Sequence, residues 1–322
     1  MNNRLTVLSS PHLHSRESVP RIMWTVVACL IPAGAAGVYL FGMPALRTIA
    51  WAAVAAVACE WIIQKLTKKK ITVTDGSAIM TGLLLAYNLP ADVPFWIPVL
   101  GSIFAVAIAK HAFGGLGQNI FNPALVGRAF LVASWPKYLT VFTKPGYDAV
   151  TSATPLAMLK EGRLAEQIPY LDLFLGRRAG CIGEVCIVAL AAGALFLLIR
   201  GYISWHIPAS FIATVGIFTY IFGPKGFFTG DWLFHILSGG LILGAFFMAT
   251  DYVTSPPTAR GHLIFGVGCG ILTSVIRLWG GYPEGVSYAI LMMNAATPLI
   301  DRFTKPRIYG TAKRKKATGT GV

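Results

Sequence analysis

Long stretches of this chain carry no charge at all, and they recur at helical length. The run 22–42, IMWTVVACLIPAGAAGVYLFG, is free of charged residues for 21 positions, against the roughly 20 apolar residues that a membrane-spanning helix requires. Placed by hydropathy, spans are expected at 22–42, 45–64, 77–89, 94–110, 119–134, 181–199, 205–223, 231–250, 261–279 and 284–301. The third is short and the fifth opens with NIFNPALVG, so broken or tilted helices are expected there. The pattern predicts an all-α polytopic membrane protein.

Composition agrees with that pattern. Only 12% of residues are charged and the mean hydropathy is +0.64, whereas soluble domains carry about 25% charged residues. The start of the chain is polar and lacks the short apolar core and small-residue cleavage site of a secretory signal. Lysine and arginine orient the spans. With the N-terminus inside, inner segments hold 17 of the 27 Lys/Arg and outer segments eight, six of those in the long loop 136–180. Both termini are therefore expected in the cytoplasm. The net charge of +14 follows from this bias and from attraction of the KRKK tail to anionic lipid. No domain stands behind the charge to bind nucleic acid.

The expected organisation is a cytoplasmic segment 1–21, a first membrane repeat 22–134, an outer loop 135–180, a second repeat 181–303 and a basic cytoplasmic tail 304–322. SAIMTGLLLAYN (77–88) echoes GGLILGAFFMAT (239–250), and FGGLGQNIFNP (113–123) echoes WGGYPEGVSYA (279–289). Five spans precede each repeat boundary, so the halves have opposite topology, an arrangement that places transport sites near the bilayer midplane. Cys29, Cys59, Cys181, Cys186 and Cys269 form no CxxC pair, and no metal site is expected from them. Cys181 and Cys186 read as small residues at a helix start.

Ionisable residues in or beside the spans are Glu60, Asp75, Lys110, Arg128, Glu184, His235, Asp251, Arg277 and Asp301. Several lie near span ends, where the charged head can reach the interface. Arg128 and Arg277 lie deeper, one in each half, which suits either a symmetric anion or cofactor site or a structural ion pair. Helix-end groups in NIFNPA and TDYVTSPP offer carbonyls and hydroxyls to a cation. In the outer loop, TPLAMLKEG predicts a short helix with Thr154 as N-cap, Pro155 at its first position and Gly162 as a stop. Such a start favours an anion; a plain cap is the alternative reading of Thr154.

DAVTSAT (148–154) resembles the signal Asp-x-x-Ser/Thr-Gly-Ala-Ser/Thr, by which a flavin transferase attaches FMN to a hydroxyl through its phosphate. Asp148, Thr151, Ser152, Ala153 and Thr154 match it, with Ser152 in place of the usual glycine. SSPHLHSRESVPRIMWTVVACLIPA, FGGLGQNIFNPALVGRAFL, LFLGRRAGCIGEVC, MATDYVTSPPTARGHLIFGVGCG and IRLWGGYPEGVSYAILMMNAATPLID extend the resemblance along nearly the whole chain. Together they resemble the D subunits of Rnf ion-translocating ferredoxin:NAD oxidoreductase complexes, and they are similar to the longer B subunits of sodium-translocating NADH:quinone reductases. The resemblance implies two inverted five-helix repeats of urea-transporter type, covalent FMN on Thr154 and a non-covalent riboflavin nearby. It further implies the A, B, C, E and G subunits as partners in a cell membrane, with ferredoxin and NAD reached only through those partners, and coupling of electron transfer to Na⁺ or H⁺ translocation. A non-redox solute or ion channel of the same fold is the alternative, since fold alone does not separate the two.

Overall fold

The computed structural model describes residues 17–143, 151–162, 168–223 and 226–305. It is mostly helical. Helix α1 (Val19–Phe41), α2 (Met43–Leu66) and α13 (Ala259–Trp279) are each long and apolar enough to cross a membrane. Shorter apolar helices accompany them: α3 (Ser77–Tyr87), α4 (Trp96–Phe104), α5 (Pro123–Ser134), α9 (Ile187–Ile199) and α10 (His206–Ile221). The last helix, α14, runs Val286–Thr304 through an internal Pro298.

Local signals set the ends. Pro20 opens α1, and the N–H of Gly42, at φ +71°, closes it on the Val38 carbonyl at 2.8 Å; glycine takes that left-handed backbone at no steric cost. Thr258 caps α13 by accepting from the Gly261 N–H. Helix α2 packs on α3 and α4, and α10 packs on α13 and on the short α11 (Trp232–Leu237). The core is continuous through α1, α3, α5, α9, α10 and α13 around Leu30, Tyr87, Leu125 and Phe211.

Four expected spans differ in detail. The fourth widens after Phe104 into a π-helical stretch, Ala105–His111. The fifth is helical only from Pro123, because Asn122 accepts from the Ala124 and Leu125 N–H groups and so starts the helix there. The sixth begins at Ile187, not at 181: Ile182 N–H bonds to Leu89 O and Gly183 N–H to Tyr87 O, both at 3.0 Å. The backbone of 181–183 therefore satisfies the broken end of α3 and cannot join a helix. The eighth is broken into α11, α12 (Leu241–Leu243) and a π-helical segment Gly244–Met248. Irregular backbone at such depth persists only where protein groups satisfy it.

Between α5 and α9 lie α6 (Pro136–Leu139), strand β1 (Phe142–Thr143) antiparallel to β2 (Thr151–Ser152), α7 (Pro155–Lys160) and α8 (Tyr170–Leu175). A second two-stranded ribbon, β3 (Phe222–Gly223) with β4 (Gly226–Phe227), follows α10. The end-of-span reading fails for Lys110. It is 2% exposed and donates to Glu60, 1% exposed, at 2.7 Å and to Ser77 Oγ at 2.7 Å. It is a buried partner in an ion pair and does not reach solvent.

Candidate cofactor cavity

Helix α7 forms where the cap chemistry says it should. Thr154 is extended at φ −64°, ψ 154°, its Oγ1 accepts from the Ala157 N–H at 3.3 Å, and Pro155 follows at the first helical position. Gly162, at φ +67°, lies just beyond the helix. Thr154 is 4% exposed, yet it borders a cavity of about 280 Å³ shared with Arg128, Glu284, Tyr282 and Tyr288. That volume is near the lower bound, about 300 Å³, of small-molecule sites. The walls are partly aromatic, with the rings of Tyr282 and Tyr288 5.1 Å apart, and Ala153, Phe142 and Glu161 complete the rim near Thr154.

These residues fit a planar aromatic group tethered at Thr154. Thr154 is at the cavity wall, the aromatic side chains of Phe142, Tyr282 and Tyr288 line it, and Arg128 supplies positive charge. Ribbon β1–β2 pairs Phe142 with Ser152 and Thr143 with Thr151, which sets Ala153 and Thr154 at the cavity edge. Asp148 lies outside the described residues.

Arg128 and Arg277 do not share one site. Arg128, on α5, donates to Asn88 Oδ1 at 2.7 Å and to Glu284 Oε2 at 2.5 Å. Arg277, on α13, spends its donors on backbone: Nε on Glu284 O at 3.0 Å, Nη2 on Ser238 O at 3.1 Å, and Nη1 on His235 O. It clamps carbonyls released where α11 ends, and it lines a separate cavity of about 380 Å³ on the far side of α7 with Leu156 and Lys160. Glu284 joins the two arginines, through its carboxylate to one and its backbone oxygen to the other.

Glu284 is not among the ionisable residues that the sequence singles out. Its signal is weak, a single acid in the turn YPEG, and its burial follows only from the packing of the α13–α14 connection beside α5. The structure also brings Cys181 Sγ, Glu184 and Glu284 carboxylate oxygens within 4.8 Å of one another. Donor atoms of this kind bind cations, but Arg128, Arg178 and Arg277 all act electrostatically on these carboxylates, and three guanidinium groups oppose a metal ion there. The cysteines are free, with Cys181 buried and Cys186 half-buried.

The groups in NIFNPA and TDYVTSPP bond mainly to protein. Asn122 Nδ2 donates to Met248 O at 3.3 Å, and its backbone N–H to Asn294 Oδ1 at 3.2 Å. Asn294 Nδ2 and Thr297 Oγ1 both donate to Thr254 O, and Asp251 accepts from the Val253 N–H and the Thr254 hydroxyl. These bonds join the start of α5 to the π-helical segment and to α14, and α14 to Thr254.

Comparison with known proteins decides the family. The profile of the NQR2, RnfD, RnfE family matches residues 6–310. This chain belongs to that family. It is 53% identical over 315 residues to the D subunit of the Na(+)-translocating ferredoxin:NAD(+) oxidoreductase complex of Acetobacterium woodii, covering 97% of each chain. It is 52% identical to the D subunit of the proton-translocating ferredoxin:NAD(+) oxidoreductase complex of Clostridium ljungdahlii, covering 97% of this chain and 98% of the relative. It is 38% identical to the D subunit of the ion-translocating oxidoreductase complex of Escherichia coli, covering 95% and 99%.

Proposed function

We propose that this chain is the D-type membrane subunit of an Rnf complex, which couples electron transfer between ferredoxin and NAD to translocation of Na⁺ or H⁺. It is a part of an oxidoreductase and has no catalytic activity alone. Overall similarity does not discriminate the ion, since relatives at 53% and 52% identity carry names with different ions. The chain spans the cell membrane ten times in two inverted five-helix repeats of urea-transporter type. Its termini are cytoplasmic and its 135–180 loop is outside. Corresponding packing supports that repeat: α2, the second span of its half, packs on the third and fourth, and α10 does the same in the other half. The partners are the A, B, C, E and G subunits together with membrane lipid, and ferredoxin and NAD are met only through those subunits.

The observation that carries the cofactor reading is the cavity at Thr154. FMN esterified to Oγ1 supplies one- and two-electron chemistry, and the protein supplies position and electrostatics. Thr154 anchors the group, Ala153 shapes the approach, Arg128 and Glu284 set the charge at the cavity wall, and Tyr282 and Tyr288 exclude water from one face. Asp148, Thr151 and Ser152 complete the signal read by the transferase. Arg277 holds the fold around this cavity. A riboflavin held without a covalent bond beside this subunit belongs to the same proposal.

The test is Thr154→Ala in the whole complex. The cap loss costs only about 1 kcal/mol, so the subunit still inserts and assembles. In-gel flavin fluorescence at its mass vanishes, and ferredoxin-driven NAD reduction and ion uptake fall together. Thr154→Ser retains all three. Fluorescence at wild-type intensity in Thr154→Ala moves the ester to Thr151 or Ser152. Ion uptake that survives loss of the flavin, in an assembled complex, supports the non-redox channel instead.

A further inference from the structure

We propose that Glu184 is a redox-linked proton site: its carboxylate binds a proton from the outer aqueous phase when reduction adds negative charge to the cavity at Thr154. The inference rests on the flavin reading above and extends it to a residue that does not line the cavity.

The buried and half-buried carboxylates, Glu60, Asp75, Glu184, Asp251 and Glu284 among them, differ in what holds them. Glu60 faces the ammonium of Lys110 at 2.7 Å. Asp75 accepts from the N–H and hydroxyl of Ser77. Glu284 faces Arg128 at 2.5 Å. Glu184, 3% exposed, receives a neutral backbone donor, the Cys181 N–H, on Oε1 at 2.9 Å. Arg178 donates to the backbone oxygen of Glu184, so this guanidinium is close to Glu184 while its bond is spent on the main chain. Glycines make the room: a Cβ at Gly180 would stand 2.8 Å from Oε1, and one at Gly240 3.0 Å from Oε2.

Two carboxylates within 4.8 Å of one another resist simultaneous ionisation, and the more weakly paired of the two takes the proton. Here that is Glu184, because Glu284 is pinned by Arg128. Opposing this are the positive charges facing the site: Arg128 from α5, Arg178 from the segment before α9, and Arg277 from α13. Arg178 is also buried, with Nε and Nη1 lacking a hydrogen-bond partner among the described residues, so its charge is incompletely compensated by direct contacts. Cys181 is the remaining titratable neighbour. Three guanidinium groups against two carboxylates leave the cluster net positive, a field that favours the carboxylate form of Glu184 against its burial and the neighbouring Glu284.

The cavity supplies the trigger. Glu284 lines it, and Glu184 lies immediately behind Glu284, one carboxylate further in. Negative charge beside Arg128 and Glu284 cancels the surplus positive field, and Glu184 is then the group that protonates. One O–H bond forms at the Glu184 carboxylate, the proton comes from water through the open side of the cavity, no protein bond breaks, and the electrons come from the reductant serving the complex. Linkage makes the effect reciprocal: protonation of Glu184 favours reduction to the same extent that reduction favours protonation.

The experiment is infrared difference spectroscopy of the purified whole complex, oxidised against dithionite-reduced, in H₂O and D₂O. Intact mass is measured in parallel to establish flavin on this subunit. Wild type gains a protonated-carboxyl band on reduction, shifted in D₂O. Glu184→Gln loses it, Glu184→Asp moves it, and Glu60→Gln keeps it. The midpoint potential of the flavin on this subunit also falls less steeply with rising pH in Glu184→Gln than in wild type. A band that persists in Glu184→Gln with flavin attached, or an unchanged pH slope, overturns the proton site and leaves the flavin reading intact. If Glu184→Gln fails to assemble, a band unmoved in Glu184→Asp overturns it equally. Absence of flavin from the wild-type subunit's mass overturns the flavin reading, and this inference with it.

Discussion

At the residue scale, each functional side chain of this protein answers a local deficit. Arg128 neutralises Glu284 and completes Asn88, the residue that ends α3. Replacing it by glutamine leaves a largely buried carboxylate without its cation, a loss of about 3 kcal/mol at the low end for buried pairs. Arg128→Gln therefore lowers the unfolding temperature of the detergent-solubilised subunit. Arg128→Gln with Glu284→Gln recovers part of the loss, as a double-mutant cycle reads directly. Thr154 is untouched in both, so the flavin proposed there persists in both variants. Loss of flavin from a well-folded Arg128→Gln subunit would make this arginine a requirement for attachment and not a structural partner.

At the element scale, the broken helices account for the buried polar residues. Where α2, the segment Val73–Asp75, α3 and the π-helical end of the fourth span meet, Glu60, Gln64, Thr72, Asp75, Ser77 and Lys110 form one bonded network. The π-helical stretch carries Lys110 into this junction, as such bulges frequently do at functional positions. Lys110→Met strands Glu60 in the interior and costs about 3–5 kcal/mol. Adding Glu60→Gln restores most of it, because a neutral amide replaces the uncompensated charge. Thermal unfolding of the single and double variants measures both steps; equal losses in the two would mean that the pair contributes little and that Lys110 serves Ser77 alone.

At the scale of the whole molecule, orientation decides what the Thr154 cavity can meet. In the proposed orientation, with lysine and arginine concentrated on the cytoplasmic side, the 135–180 loop is outside, and electrons drawn from cytoplasmic carriers would cross the membrane and return. In a variant lacking native cysteines, Gly162→Cys reacts with an impermeant maleimide in intact cells, while Thr318→Cys reacts only after lysis. The reverse labelling pattern removes the outward detour and with it the proposed role of the loop flavin.

The apolar runs and their lysine–arginine flanks were sufficient to define a multi-pass helical chain, because helix-length burial in lipid depends on local hydropathy alone. The cap at Thr154 and the short helix after it were legible for the same reason: the side-chain oxygen, the proline and the glycine act within a few residues. Arg128 was legible as a charge needing a partner, but the partner was not. Glu284 is 156 residues away along the chain, and periodicity carries no information about contacts at that separation. The late start of α9 was hidden likewise, since residues 181–183 leave the helix to satisfy the carbonyls of Tyr87 and Leu89 across the fold. Local chemistry determined which segments are helical and where the short helix after Thr154 begins. Tertiary packing decided which helices break, which charges pair and which carboxylate stands behind the cavity, because buried polar groups must find partners wherever the fold places them.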